Sequence, residues 1–156
     1  MRWHYRDPLL VWLLPGAYVC HLLEEWFGGL PEWMSVVLGS PLPRPAFIAI
    51  NTVAFLLMVV GIRATTRRES NGWMGIAVAT ILLVNGVAHL LGSVVTGTYA
   101  PGLVTGVVLY LPLGSLVLLR ARGQAEGDLF ARGVLAGIGL HALAIVIAYA
   151  SAVWRR

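Results

Sequence analysis

The chain has no lysine and only one cysteine, and just 12% of its 156 residues are charged. Each scarcity excludes something. One cysteine, Cys20, leaves no internal disulfide, and its place within an apolar segment reads as a small packing residue. Without lysine, the net charge of +4 rests on arginine alone. Nearly every arginine falls in a predicted loop or terminus, a pattern that reads as membrane topology and not as nucleic-acid binding. So little charge, set against 58% apolar residues and a mean hydropathy of +0.81, excludes a soluble domain and fits one compact membrane bundle. Neither low-complexity sequence nor an internal repeat appears, so a single domain over 1–156 suffices.

Five apolar segments have spanning length: about 8–29, 45–62, 72–95, 102–119 and 129–153. Each is expected to be a helix, because lipid leaves no partner for unpaired backbone groups. The expected fold class is an all-α membrane protein with five transmembrane helices in one bundle. The first apolar run is too long and too polar for a cleaved signal peptide, so it is expected to be retained. Arg2, Arg6, Arg63, Arg67, Arg68, Arg120, Arg122 and Arg132 sort to one side, against Arg44, Arg155 and Arg156 on the other. That asymmetry places the N-terminus in the cytoplasm and the C-terminus outside, and the expected location is a bacterial plasma membrane. Trp3 and Trp73 fall near the inner interface, and Trp26, Trp33 and Trp154 near the outer one. The stretch Pro31–Pro43 is too short to span and is expected to lie along the outer surface. Pro15 and Pro112 should kink the first and fourth helices.

The costliest residues lie inside the first span. His21-Leu22-Leu23-Glu24-Glu25 places three ionisable groups in an apolar run, where a charged side chain costs about 2.5–3.5 kcal/mol even on lenient insertion scales. At 1.5 Å rise per residue, His21 lies about 18 Å from the inner end of its helix, Glu24 and Glu25 about 22–24 Å, Asn85 about 18 Å, His89 about 24 Å and His141 about 17 Å. Asn51 comes to about 20 Å and Tyr110 to about 15 Å by the same count. Several helices thus offer polar groups to one layer. His21 and Glu25 are i,i+4, as are Asn85 and His89, so each pair shares a helix face. The pairs Gly133/Gly137 and Gly102/Gly106 read as small-residue packing that lets helices approach closely.

The run His21-x-x-Glu24-Glu25 in a first apolar helix, followed by Asn85-x-x-x-His89, resembles the small integral membrane proteins grouped under the name HXXEE. That resemblance implies membrane residence and a metal site, and it supplies no reaction.

The residues themselves supply the chemistry. Histidines with carboxylates form a ligand set for one divalent ion, zinc preferred and iron next, because two ionised carboxylates balance one dication among neutral imidazoles. The expected metal ligands are His21, Glu25, His89 and His141. Glu24 would then act as general base and acid, while Asn85 and Asn51 orient ligands or polarise a substrate. A site enclosed by aliphatic residues favours a lipophilic substrate, a membrane lipid or an isoprenoid-like molecule. The leading expectation is therefore a metal-dependent enzyme doing hydrolytic or acid–base chemistry, and a homo-oligomer stays open. Alternatives are a metal-free isomerase or cyclase using Glu24 and Glu25 as an acid–base pair, with Trp12, Trp26, Tyr18 or Tyr110 available for cation–π stabilisation, a haem protein with His89 and His141 as axial ligands, and a proton relay.

Overall fold

The structure is a computed structural model that describes residues 4–154; Arg2, Trp3, Arg155 and Arg156, assigned to membrane sides above, lie outside the described residues. It is all-helical among those residues. The Asp7 carboxylate accepts hydrogen bonds from the Leu9 and Leu10 amides, and Pro8 occupies the first turn, so α1 runs from Pro8 to Gly28. Gly29 ends it at φ +78° and α2 (Leu30–Leu38) follows immediately. The longer helices are α3 (Arg44–Arg67), α4 (Gly72–Thr96), α5 (Leu103–Gln124) and α6 (Gly127–Val153).

Four helices are long and apolar enough to cross a membrane, α3 to α6, with α4 carrying the short 3₁₀ turn Glu69–Asn71 at its start. This is consistent with a membrane protein, and it corrects the expected count of five. The first helix forms where expected, but His21, Glu24 and Glu25 all fall in its second half and lower its apolarity below that of the other four. The segment expected along a surface folds as α2, with Leu30 and Pro31 buried and the Leu42 amide donating back to the Pro31 carbonyl at 2.8 Å. Pro15 is accommodated within continuous helix. The expected distortion near Pro112 does occur, as a π-helical turn over Gly106–Tyr110 just ahead of it.

The central helix is α4, half buried along its span, against 11% for α6. Its neighbours close around a core of Leu10, Val11, Leu14 and Tyr18 from α1, Met58 and Ile62 from α3, Val78 and Leu82 from α4, and Tyr110 and Val117 from α5. Large apolar side chains such as Leu56, Leu57, Val94, Val95, Leu135 and Val146 point outward. The buried polar side chains are His21, Glu25, Thr65, Thr80 and His89. Thr65 and Thr80 return their hydroxyls to carbonyls one turn back, at 2.9 and 2.8 Å. What remains is a histidine and glutamate set that must satisfy itself.

The small-residue reading of Gly133 and Gly137 has a concrete cause. A Cβ on Gly133 would stand 2.6 Å from the Ile76 Cβ, and one on Gly137 would stand 2.6 Å from the Ala77 carbonyl oxygen. We expect Gly137→Val to separate α4 from α6 and cost about 1–3 kcal/mol or more, read as a lower thermal midpoint in detergent. Gly139→Ala, which meets nothing within 4 Å, should leave the midpoint in place.

Candidate metal centre

His21 and Glu25 lie one turn apart on α1 and face α4, where His89 meets them. The Glu25 Oε1 stands 3.2 Å from the Nε2 of His21 and 3.2 Å from the Nε2 of His89. All three residues are buried, and their ligand-type atoms lie within 4.8 Å of one another. The two imidazoles meet edge to face with centroids 4.8 Å apart, and Tyr110 stacks on His21 at 4.2 Å.

Glu24 points elsewhere. Rotated about 100° from Glu25 around the helix, its carboxylate accepts the amides of Val104 at 2.9 Å and Thr105 at 2.7 Å, together with the hydroxyls of Thr105 and Tyr99. Those amides belong to the first turn of α5, where backbone donors have no helical partner. Glu24 is therefore a cap supplied from another helix, with its negative charge at the positive end of α5. Tyr99, in the loop before α5, is about half exposed. Burial and then the Glu24 carboxylate push its phenol up to about 12, so it stays a donor at neutral pH.

Thr105 couples the cap to the cluster. Its one hydroxyl proton goes to Glu24, a carboxylate that can only accept, so its Oγ1 accepts from the His21 Nδ1 at 2.8 Å. That places a proton on the His21 Nδ1, so that in the neutral ring the lone pair falls on Nε2. The same Nε2 is fully buried and makes no hydrogen bond, although Glu25 is near. A ring nitrogen and a carboxylate oxygen are thus held 3.2 Å apart without an aligned hydrogen bond between them. We expect Thr105→Val to weaken binding of a divalent metal about 10- to 100-fold in competitive chelator titrations, as loss of an orienting hydrogen bond does, and Thr105→Ser to retain it.

Gly102 closes the site. It lies at φ +103°, and a Cβ there would sit 2.7 Å from the Cε1 of both His21 and His89. The loop Gly97–Gly102 thereby reaches the imidazoles at backbone distance, and only glycine permits that approach.

Of the residues expected to share a site, His21, Glu25 and His89 come together. His141 is within electrostatic reach of His89 and Glu25 but contributes no atom to the convergent group; its Nε2 is buried and makes no hydrogen bond. Asn85 sits one turn before His89 with its Oδ1 likewise unpartnered, as is the Tyr110 hydroxyl. Asn51 lies in a different contact, accepting from the Tyr18 hydroxyl at 2.6 Å and donating to the Phe47 carbonyl at 2.9 Å. Cys20 is exposed and free. Trp12 is exposed, and Trp26 lies beside Phe47 under the Arg44 guanidinium. Thr105, Tyr99 and the approach of Gly102 had no signal in helical periodicity.

Comparison with known proteins agrees with the motif. Residues 12–117 match the family described as "Protein of unknown function with HXXEE motif", and the chain belongs to that family. It is 31% identical over 110 residues to "Uncharacterized protein YrkK" of Bacillus subtilis (strain 168), covering 65% of this chain and 68% of that protein. No solved structure matches. The matched region contains the cluster, the cap and Gly102, and it stops before His141.

Proposed function

We propose that this HXXEE protein is an integral protein of a bacterial plasma membrane that holds one divalent cation between His21, Glu25 and His89. Zinc is preferred and iron second. The supporting observation is the bare Nε2 of His21 3.2 Å from Glu25 Oε1, with the His89 Nε2 at the same distance from that oxygen. Two ligand atoms each about 2.0–2.2 Å from a shared cation, at angles between octahedral and tetrahedral, lie about 2.8–3.6 Å apart. Two imidazoles and one carboxylate are also the donor set of open catalytic zinc sites and of mononuclear iron sites. Glu25 supplies one negative charge and Glu24, one threonine away, a second, so a dication there leaves the region near neutrality.

A bound cation would act as Lewis acid and lower the pKa of a ligated water. The surrounding residues take distinct roles. Glu24, expected as the general base, is committed to capping α5, so His141 becomes the group free to take a proton. Tyr110 can donate to a substrate oxygen, and Asn85 Oδ1 can accept from a substrate hydroxyl or amide. The cluster lies near the α5 start, beside half-exposed Tyr99 and Val104, where a lipid's polar linkage would sit. The reaction proposed is hydrolysis of a lipophilic ester or a related acid–base step.

This reading is favoured over a proton-sharing Glu24/Glu25 pair, because the two carboxylates engage different partners. The test is hydrolysis of a fluorogenic long-chain acyl ester by the purified protein in detergent. Turnover should vanish with chelator and return with zinc or iron. Full turnover by metal-free protein, or none by metal-loaded protein, contradicts it.

A further inference from the structure

Three arginines gather at the C-terminal end of α3. Arg63, Arg67 and Arg68, with Val60, Ala64 and Asn71, line an open hollow of about 320 Å³. The arginines are exposed, and no ion pair holds them among the described residues. Their acidic neighbour Glu69 is taken by Arg6 at 2.7 Å. Arg44 pairs with Glu32 at 2.8 Å and Arg132 stacks on Trp73 at 4.4 Å, whereas Arg63, Arg67 and Arg68, like Arg120 and Arg122, have no such partner among the described residues.

A second feature runs into the hollow. Val53, Leu56, Leu57 and Val60 recur at i, i+3, i+4 and i+7 on α3, and all are more than half exposed. Val60 is both the last residue of this stripe and part of the hollow's wall. A continuous apolar track along the helix thus ends at three guanidiniums, whose planar donors match phosphate oxygens.

We propose that this hollow binds the phosphate of an anionic phospholipid, with an acyl chain along the Val53–Val60 stripe. The occupant is a lipid and not free phosphate, because the stripe continues the hollow over a length that an inorganic ion could not use. The site lies at the helix ends opposite the histidine cluster, and it does not depend on a metal there.

The test uses the full chain in mixed micelles containing equal phosphatidylglycerol and phosphatidylcholine, with retained lipid counted by native mass spectrometry. Phosphatidylglycerol should be retained about tenfold over phosphatidylcholine, consistent with several basic residues acting together at a membrane surface. Combined Arg63→Gln, Arg67→Gln and Arg68→Gln should bring the ratio to parity, while Arg120→Gln with Arg122→Gln leaves it unchanged. Should the triple variant not fold, Arg67→Gln alone must lower the ratio. Parity in the native protein, an unchanged ratio in the arginine variants, or displacement of the lipid by millimolar inorganic phosphate would each overturn the proposal.

Discussion

Gly102→Ala is expected to weaken metal binding about 100-fold, the upper end of the scale at which displaced orienting groups act. The added Cβ would meet the Cε1 atoms of His21 and His89 at 2.7 Å and the His89 Nδ1 at 2.9 Å. The His21 ring cannot retreat easily, because it is held by Tyr110 on one face and by Thr105 at Nδ1. The substitution also places a Cβ on a residue at φ +103°. Crowding costs about 1–3 kcal/mol and the left-handed backbone about 1–2 kcal/mol, so stability in detergent should fall as well. Gly97→Ala separates these contributions. Gly97 lies in the same loop at φ +64° with nothing within 4 Å of its Cβ position, so its alanine variant should carry the backbone cost and keep the metal. Equal loss of metal in both variants would assign the effect to loop strain, and not to contact with the imidazoles.

Glu24→Ala is the second large effect, and it should act first on folding. The carboxylate serves two backbone amides and two hydroxyls. Bonds to a charged acceptor are worth about 1.5–3 kcal/mol each when buried, and partial exposure here reduces the sum to about 2–4 kcal/mol. Hydrogen exchange should show the first turn of α5 losing protection while α3 and α6 keep theirs. Metal affinity should fall by a smaller factor, about 10- to 100-fold, because Thr105 loses the acceptor that fixes its hydroxyl and with it the His21 proton. Glu24→Gln should be intermediate, since one amide oxygen can still accept. A Glu24→Ala protein as stable as the native one, with α5 fully protected, would contradict the capping role.

Much of the cluster was legible because spacing and depth carry real constraints. An i,i+4 pair must share a face, and residues at one level on neighbouring helices are candidates for contact; His21, Glu25 and His89 met both conditions. Depth, however, gives only the level and says nothing of rotation about a helix axis. His141 is within electrostatic reach of His89 and Glu25 yet stands outside the convergent group, and Asn51 turns to Tyr18. The adjacent glutamates divided for the same reason, since one step along a helix turns a side chain by about 100°. Glu25 meets the imidazoles and Glu24 meets the first turn of α5. Gly102 and Thr105 were hidden because a loop's positive φ and a cap supplied by another helix leave no periodic trace. The count of spanning helices fell from five to four because the ionisable residues that mark α1 as functional also make it the least apolar of the long helices.

The central claim is that His21, Glu25 and His89 hold a divalent cation, and elemental analysis of detergent-purified protein beside Glu25→Gln tests it most directly. Glu32→Gln serves as the control, because Glu32 is exposed on α2 and pairs only with Arg44. The account predicts about one equivalent of zinc or iron per chain in the native protein and in Glu32→Gln, and less than about a tenth of that in Glu25→Gln, a loss as large as removing one of three protein ligands should cause. The same metal content in Glu25→Gln as in the native chain would contradict it.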